Sequence, residues 1–349
     1  MAVYIKGMGN ISPQKTWGND PLLADPSDYS GNRLTCIEPD YGQYVDVKQL
    51  RRMSRIIKMG VAAGTMALRE AGISSPNAII TGTSYGCLED TGVFLSKMIE
   101  NSENALNPTP FIQSTHNTIG SQIALLLQCQ GYNQTYTQRA FSFEHSLIDA
   151  TMELKDNPAQ NILAGGVDEI TSHSHSLQKR FGIFRNNASS LDLLKQKGDG
   201  TMNGEGAVYL ALSGEKDENS NVCLEGVSTY YNSSTLRDNV SDFIKGTPIN
   251  PGDIDLVLMG KSGVGKWDRI LDSITSDLFP KASLGLFKHL CGEYPTASAF
   301  ATSLAARILR EERTPDIVLE KNAERVAKNI LIFNGYFEKY HSLILLRTC

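Results

Sequence analysis

The sequence predicts a layered α/β fold built from two halves of similar grammar. Short apolar strands alternate with amphipathic helices along the chain. A polar stretch, GEKDENSN, follows Ser213 and interrupts the alternation, after which the same pattern restarts. The 349 residues are enough to bury a large core in two closely packed units. Residues 1–214 and 215–349 are therefore expected to be the diverged halves of an internal duplication.

Each element follows from local pattern. Residues 3–8 read as a strand running into a glycine turn, and the Pro-, Gly-, Asn- and Asp-rich chain to about Tyr44 reads as surface loop. Across 47–71, Ile56, Ile57, Gly60, Ala63, Gly64, Ala67 and Leu68 recur at helical spacing, and Gly72 supplies a left-handed cap. Small residues on that face imply close packing. Strands follow at 77–82, 134–139 and 161–164, with helices at 88–99, 120–127 and 141–154. In the second half, strands are expected at 222–231, 254–259, 329–333 and 342–346, and helices at 236–244, 267–276 and 297–311.

Composition narrows the function. A net charge of −5, with no Lys/Arg run longer than a pair, gives nucleic-acid binding no electrostatic support. The opening MAVYIKGMGNIS lacks a signal-peptide pattern, and the longest apolar runs, such as 123–127, are too short for a membrane span. Six scattered cysteines without a CxxC pair suit reduced thiols better than disulfides or zinc, so a cytoplasmic location and no metal are expected.

Several segments, in order, resemble the β-ketoacyl-acyl carrier protein synthases. VYIKGMGNISP is similar to the family's opening strand and turn, and RRMSRIIKMGVAAGTMALREAG to its first long helix. PFIQSTHNTIGSQIAL resembles the segment leading into a helix that lines the acyl site, and ILAGGVDEI its AGG turn. GDGTMNGEGAVYLAL is similar to the DGF–GEGA hairpin, with Thr201 replacing the phenylalanine. LGLFKHLCGEYPTASAF and IFNGYFEKYHSLIL fall where the family has its lysine–histidine helix and glycine-rich loop. The resemblance implies a thiolase-like, five-layer αβαβα fold.

It also implies missing chemistry. Claisen condensation needs a thiol at a helix N-terminus to hold the acyl chain, and donors for the charge that develops as malonyl thioester loses carbon dioxide. Ungapped counting back from the AGG turn puts Ala140 at the cysteine position. Gly260 takes the first histidine position, with Asp268 at the family's aspartate, and Glu293 takes the second histidine position, five residues after the retained Lys288. A methyl group cannot attack a thioester, and a carboxylate repels the enolate. In place of the glycine-rich loop stand Tyr336, Phe337, Glu338, Lys339 and Tyr340, whose bulk is expected to fill the space glycines leave open. Phe111, Asn117, His145, Ser262, Tyr336 and Phe337 are the expected tunnel or substrate-lining residues.

The reading is therefore a non-catalytic, chain-length-factor-like partner of an active synthase in fatty acid, polyketide or aryl-polyene-type biosynthesis. No cofactor is expected; substrate would arrive on the 4'-phosphopantetheine of acyl carrier protein. The partner is an active synthase in a heterodimer, or a second copy in a homodimer that binds acyl thioesters. Another alternative is an active acyltransferase with a displaced nucleophile, Cys87 or Cys291 beside His289; residues two apart on a helix do not share a face. The stretch 260–267 (GKSGVGKW) imitates a phosphate-binding loop, but Trp267 stands where a hydroxyl must hold magnesium. His116 and His145 are read as structural, and His173 with His175 as a loop pair lacking a third metal ligand.

Overall fold

The computed structural model describes residues 2–18, 21–186, 188–195, 199–218, 220–321 and 326–349. In the first half, β1 (Val3–Ile11), β2 (Ser30–Gly31), α1 (Val47–Leu50), α2 (Arg55–Glu70) and β3 (Ala78–Gly82) come first. Then follow α3 (Leu88–Glu100), α4 (Pro108–Gln113), α5 (Thr118–Leu127), β4 (Tyr132–Tyr136) and α6 (Ser142–Asp156). β5 (Asn161–Asp168), α7 (Ser172–Lys179), β6 (Ala188–Ser189) and β7 (Gly206–Ser213) complete it. The second half holds β8 (Val222–Tyr231), α8 (Leu236–Lys245), β9 (Leu256–Gly260), α9 (Gly265–Leu278), β10 (Ser283–Leu286) and α10 (Lys288–Cys291). Its last elements are α11 (Ala297–Glu311), β11 (Leu319–Lys321), β12 (Asn329–Tyr336) and β13 (Tyr340–Thr348).

Strand order makes the duplication visible. One run reads β4-β3-β5-β7-β1 and the other β10-β9-β12-β13-β8, with β11 added at the outer edge. In each run the first three strands pair in parallel and the last three antiparallel. The runs join through β1 and β8, at Val3↔Leu224 and Tyr4↔Cys223. Beyond this seam the sheet halves face each other across α6 and α11. α11 packs on β7 and β1 of one run and on β12 and β13 of the other.

The sequence of α11, ASAFATSLAARILRE, explains that place. Its first ten residues are all buried, and small side chains let both sheets approach. A central core holds α6, α11 and the inner sheet faces, among them Ile5, Phe143, Leu147, Leu210, Leu304 and Ile332. Separate cores lie under α2 and α5 on one outer face and under α8 and α9 on the other. This is the five-layer αβαβα arrangement.

Several expectations need correction. The helix expected at 47–71 is two helices, because Asp46 and Ser54 each start one; Asp46 accepts a hydrogen bond from the Lys48 amide. Gly72 does adopt the left-handed φ of 68°. The strand expected at 134–139 ends at Tyr136, since the chain turns into a 3₁₀ segment, Arg139–Phe141, ahead of α6. His173 and His175 lie on α7, started by a Thr171–Ser174 capping box, not on a loop. Cys223 and Cys349 form a disulfide with Cα atoms 5.9 Å apart, so the reading of all six cysteines as reduced thiols is wrong. They are 126 residues apart in the chain, and only antiparallel pairing of β13 with β8 brings them together. The argument for a reducing compartment loses its support with them. Among the described residues no helix is long and apolar enough to cross a membrane.

Candidate functional site

The central helix α6 starts after the Arg139–Phe141 turn, in which Arg139 has a φ of 53° and Ala140 is 2% exposed. The C-terminal end of β3 abuts this start. A Cβ on Gly82 would sit 2.3 Å from the Ser142 carbonyl oxygen, so only glycine fits. Around the helix mouth, Phe141 meets Tyr340 edge-on at 5.1 Å, and His145 packs against Phe141 and Tyr136. Burial holds the His145 imidazole below its ordinary pKa, favouring the neutral ring.

One turn into α6, Glu144 is wholly buried. The Ser342 hydroxyl donates to one of its oxygens at 2.6 Å. Burial pushes the carboxyl up to about 7.

Lys288 and Glu293 face each other at the buried start and end of the α10 segment. The ammonium donates to both Glu293 oxygens, at 2.8 and 2.9 Å, and to the Gly335 carbonyl. Burial drives the Glu293 carboxyl up to about 7, and the Lys288 ammonium opposes that rise. The GEGA hairpin clamps the acid in place: the Glu293 amide donates to the Met202 carbonyl, and the Gly204 amide to the Glu293 carbonyl. Gly260 ends β9 in register with Asn334 of β12. A Cβ there would lie 2.3 Å from the Asn334 Oδ1, so the asparagine occupies the volume a side chain would need.

Asp168, at the end of the AGG strand, accepts hydrogen bonds from the Thr83 and Thr296 hydroxyls and from the Ser84 and Tyr85 amides. Burial raises its pKa to about 6 despite those donors. It ties the turn after β3 to the start of α11. Glu205 plays a similar part, accepting two hydrogen bonds from Arg55 and one each from the Cys36 and Ile170 amides.

Tyr85, Asp168, Glu293, Tyr294, Tyr336 and Phe337 border one cleft. Its free volume, about 20 Å³, holds roughly one water molecule. A short aromatic hairpin covers it. Tyr336 pairs with Tyr340 across the turn, Phe337 takes a φ of 48°, and its ring meets Tyr336 at 4.3 Å and Trp267 at 5.3 Å. Of the five residues expected to fill this space, only Tyr336 is buried; Glu338 and Lys339 point to solvent. Tyr336 and Phe337 line the cleft; Glu338, Lys339 and Tyr340 do not.

The structure brings only part of the expected lining together. Glu293, Tyr336 and Phe337 share the cleft, and His145 lies beside the α6 mouth. Ser262 is buried, but its amide and hydroxyl both donate to Asp268. Phe111 and Asn117 do not line this chain's cleft. Phe111 is 57% exposed and meets Phe94 with rings tilted at 45°, and Asn117 is exposed at the start of α5.

The rival motifs are consumed structurally. Asp268 accepts from the Ser262 and Gly263 amides and Asp199 from the Gly265 amide, each at 2.8 Å. A phosphate would need those amides free, and two carboxylates now occupy their place. Lys266 pairs with Glu338. Cys87 and Cys291 are wholly buried, and burial pushes both thiols well above their ordinary pKa, away from thiolate. His116 is exposed, packed against the Gly86 backbone. His175 stacks on Phe184 and bonds Asn203, while His173 faces solvent. Among the described residues no group of three His, Cys, Asp or Glu side chains is placed to hold a metal.

Sequence reasoning missed Glu144, Asn334 and the clamping role of Asp168. Asp168 lies inside the AGG turn that signalled the resemblance, so the motif could have named it. Glu144 and Asn334 carry no local signal, because what they touch is 198 and 74 residues away respectively.

Comparison with known proteins agrees with this geometry. The family model for the β-ketoacyl synthase N-terminal domain matches residues 6–218. Two 3-oxoacyl-acyl carrier protein synthases 2, from Vibrio cholerae and Vibrio harveyi, are 25% and 23% identical; each match covers 49% of this chain and 46% of the relative. Less than half the length of these relatives is thus spanned. Among solved structures, a β-ketoacyl synthase from Burkholderia phymatum has a TM-score of 0.83 at 16% identity, covering 100% of this chain and 99% of that one. The ishigamide ketosynthase/chain length factor gives a TM-score of 0.81 at 16% identity, with the same coverage. A ketosynthase in complex with its chain length factor from Xenorhabdus doucetiae gives 0.79 at 14% identity, covering 100% of this chain and 98% of that one. The family match over most of the chain and the shared fold lead to one conclusion: the chain belongs to the β-ketoacyl synthase family.

Proposed function

We propose that this chain is a non-catalytic partner subunit, akin to a chain-length factor, that pairs with an active β-ketoacyl synthase. One observation carries the reading: Ala140, a methyl group, sits at the mouth of the buried helix where the family's cysteine would open it. Gly260 and Glu293 stand at the two histidine positions. Asn334 fills the space beside Gly260, and Glu293 neutralises the retained Lys288 instead of leaving it to stabilise an enolate. A cleft with room for one water does not hold an acyl chain. The buried, protonated Cys87 and Cys291 speak against a displaced nucleophile.

A surface suited to a partner adds support. β4 ends the sheet and pairs only with β3 among the described residues, so one row of its backbone groups is open. α5, which packs on β4, exposes Leu125, and α3 and α4, which pack on each other, expose Leu95, Ile99, Phe111 and Ile112. In this reading Phe111 serves the partner's acyl tunnel, not this chain's cleft. The growing chain would stay on the partner and on the 4'-phosphopantetheine of acyl carrier protein, in fatty acid, polyketide or aryl-polyene-type synthesis. The two pseudo-repeats are taken as 1–214 and 215–349.

The test uses the purified chain with malonyl- and acyl-loaded carrier protein. Neither decarboxylation nor elongation is expected, and Ala140→Cys alone is expected to stay inactive, because no imidazole faces the new thiol. Co-expression with a cysteine-bearing synthase should give a 1:1 complex on size exclusion. Elongation by the wild-type chain alone, abolished by iodoacetamide, would overturn the proposal; a stable homodimer that ignores the synthase would favour an acyl-thioester-binding homodimer instead.

A further inference from the structure

β1 pairs with β7 as far as Ile11 but with β8 only at Val3 and Tyr4; beyond them its second edge has no strand partner among the described residues. A cavity of about 290 Å³ opens against that edge, between α2 and α11. Its volume is close to the lower end of the range of about 300–1,000 Å³ usual for small-molecule sites, which selects a compact ligand. None of its lining residues belongs to the cleft over Glu293.

The apolar surface of the cavity comes from Met8, Trp17, Tyr44 and Met66. Two aromatic side chains and two polarisable thioethers suit a ligand with an aromatic ring. Its charged surface comes from Arg69, Glu70 and Arg307. Two of these are already matched. Glu70 accepts from the Arg310 guanidinium with one oxygen and from the Met8 amide with the other. Arg307 donates to Glu311 through Nε and Nη2. Arg69 differs. Its guanidinium lies over the Tyr44 ring, 5.2 Å from the centroid, and has no carboxylate or hydrogen-bond partner among the described residues. The side chain is exposed, so a ligand in the cavity can reach its donors. A guanidinium stacked on a ring keeps its in-plane N–H groups free, and their fork matches the two oxygens of a carboxylate. One unmatched positive charge balances one negative charge, which favours a carboxylate over a phosphate near its second ionisation.

We propose that this cavity is a binding site for a small aromatic monocarboxylate. The carboxylate pairs with Arg69, and the ring packs against Trp17, Met8 and Met66. A ligand there touches α2 and α11 at once. The site is independent of the pseudoenzyme reading, because its lining includes neither Ala140 nor the Lys288–Glu293 pair.

Isothermal titration calorimetry on the intact chain at low ionic strength tests this, with 2-naphthoate as probe and 2-naphthamide as its neutral counterpart. Saturable naphthoate binding is expected, with naphthamide about fivefold weaker, what an exposed ion pair contributes at its strongest. Arg69→Gln should weaken naphthoate by the same factor and leave naphthamide unchanged; that side chain is exposed, so the fold tolerates the change. Trp17→Ala removes part of the ring's wall and should weaken both ligands alike, with an unaltered urea unfolding midpoint showing that the chain stays folded. Absence of saturable naphthoate binding overturns the proposal. So does naphthamide binding as tightly as naphthoate, naphthoate binding unchanged in Arg69→Gln, or 2-naphthyl phosphate binding more tightly than naphthoate.

Discussion

Glu293→Gln isolates the electrostatic change at the centre of this fold. In the native chain the Lys288 ammonium and Glu293 carboxylate are 1% and 2% exposed and 2.8 Å apart. At an effective dielectric of about 20, unit charges at that distance attract by about 6 kcal/mol, much of it offset by desolvating both ions. Glutamine keeps the shape but strands the ammonium among neutral acceptors, the Gly335 carbonyl and its own amide oxygen. Breaking one side of a buried pair costs about 3–5 kcal/mol. The complementary Lys288→Met variant should cost less at pH 5.5 than at pH 8, because a stranded carboxyl can take up a proton and a stranded ammonium sheds one only at high pH. In Lys288→Met with Glu293→Gln no charge is left buried, so the double variant should recover at least half of the single-variant loss. Urea unfolding of the four proteins at both pH values measures this. If at pH 8, where Glu293 is ionised, Glu293→Gln lies within about 1 kcal/mol of wild type, or the single losses simply add, the two groups are not coupled and the buried-pair account is wrong.

Two further outcomes follow from the same centre. Gly260→Ala places a Cβ 2.3 Å from Asn334 Oδ1 and should destabilise the protein by about 1–3 kcal/mol, with Asn334→Ala in the same chain relieving part of the loss, since the Asn334 Cα and Gly335 amide stay 3.0 and 3.1 Å away; additive losses in urea unfolding would contradict the proposed clash. Glu144 has a folded-state pKa of about 7 against an ordinary 4.5, so the folded protein holds a proton that the unfolded chain has released. Stability therefore falls as pH rises from about 4.5 through about 7. Glu144→Gln should flatten that fall and gain about 2 kcal/mol at pH 8, with near parity at pH 4.5; an unchanged pH slope would show that Glu144 does not carry it.

Much of the architecture was legible because burial leaves a periodic trace. The spacing of Ile56, Ile57, Ala63, Ala67 and Leu68 marked α2, and continuous apolar runs marked β3 and β9, strands covered on both faces. Where apolar residues are few, as in the SHSHSLQK helix, periodicity had nothing to report, and a capping box decided the structure. The site divides the same way. Ala140, Gly260, Lys288 and Glu293 could be named from motif order, but what each one meets could not.

By itself, then, the sequence determined the layered α/β class, the family resemblance and the absence of a thiol at the α6 mouth, because periodicity and side-chain chemistry are local properties. Tertiary structure alone decided that Asn334 occupies the space beside Gly260, that Lys288 is neutralised by Glu293, that Cys223 meets Cys349, and that Phe111 is exposed outside the cleft. Those are contacts set by strand register and helix docking between segments far apart in the chain, and no short window of residues contains the distances on which they depend.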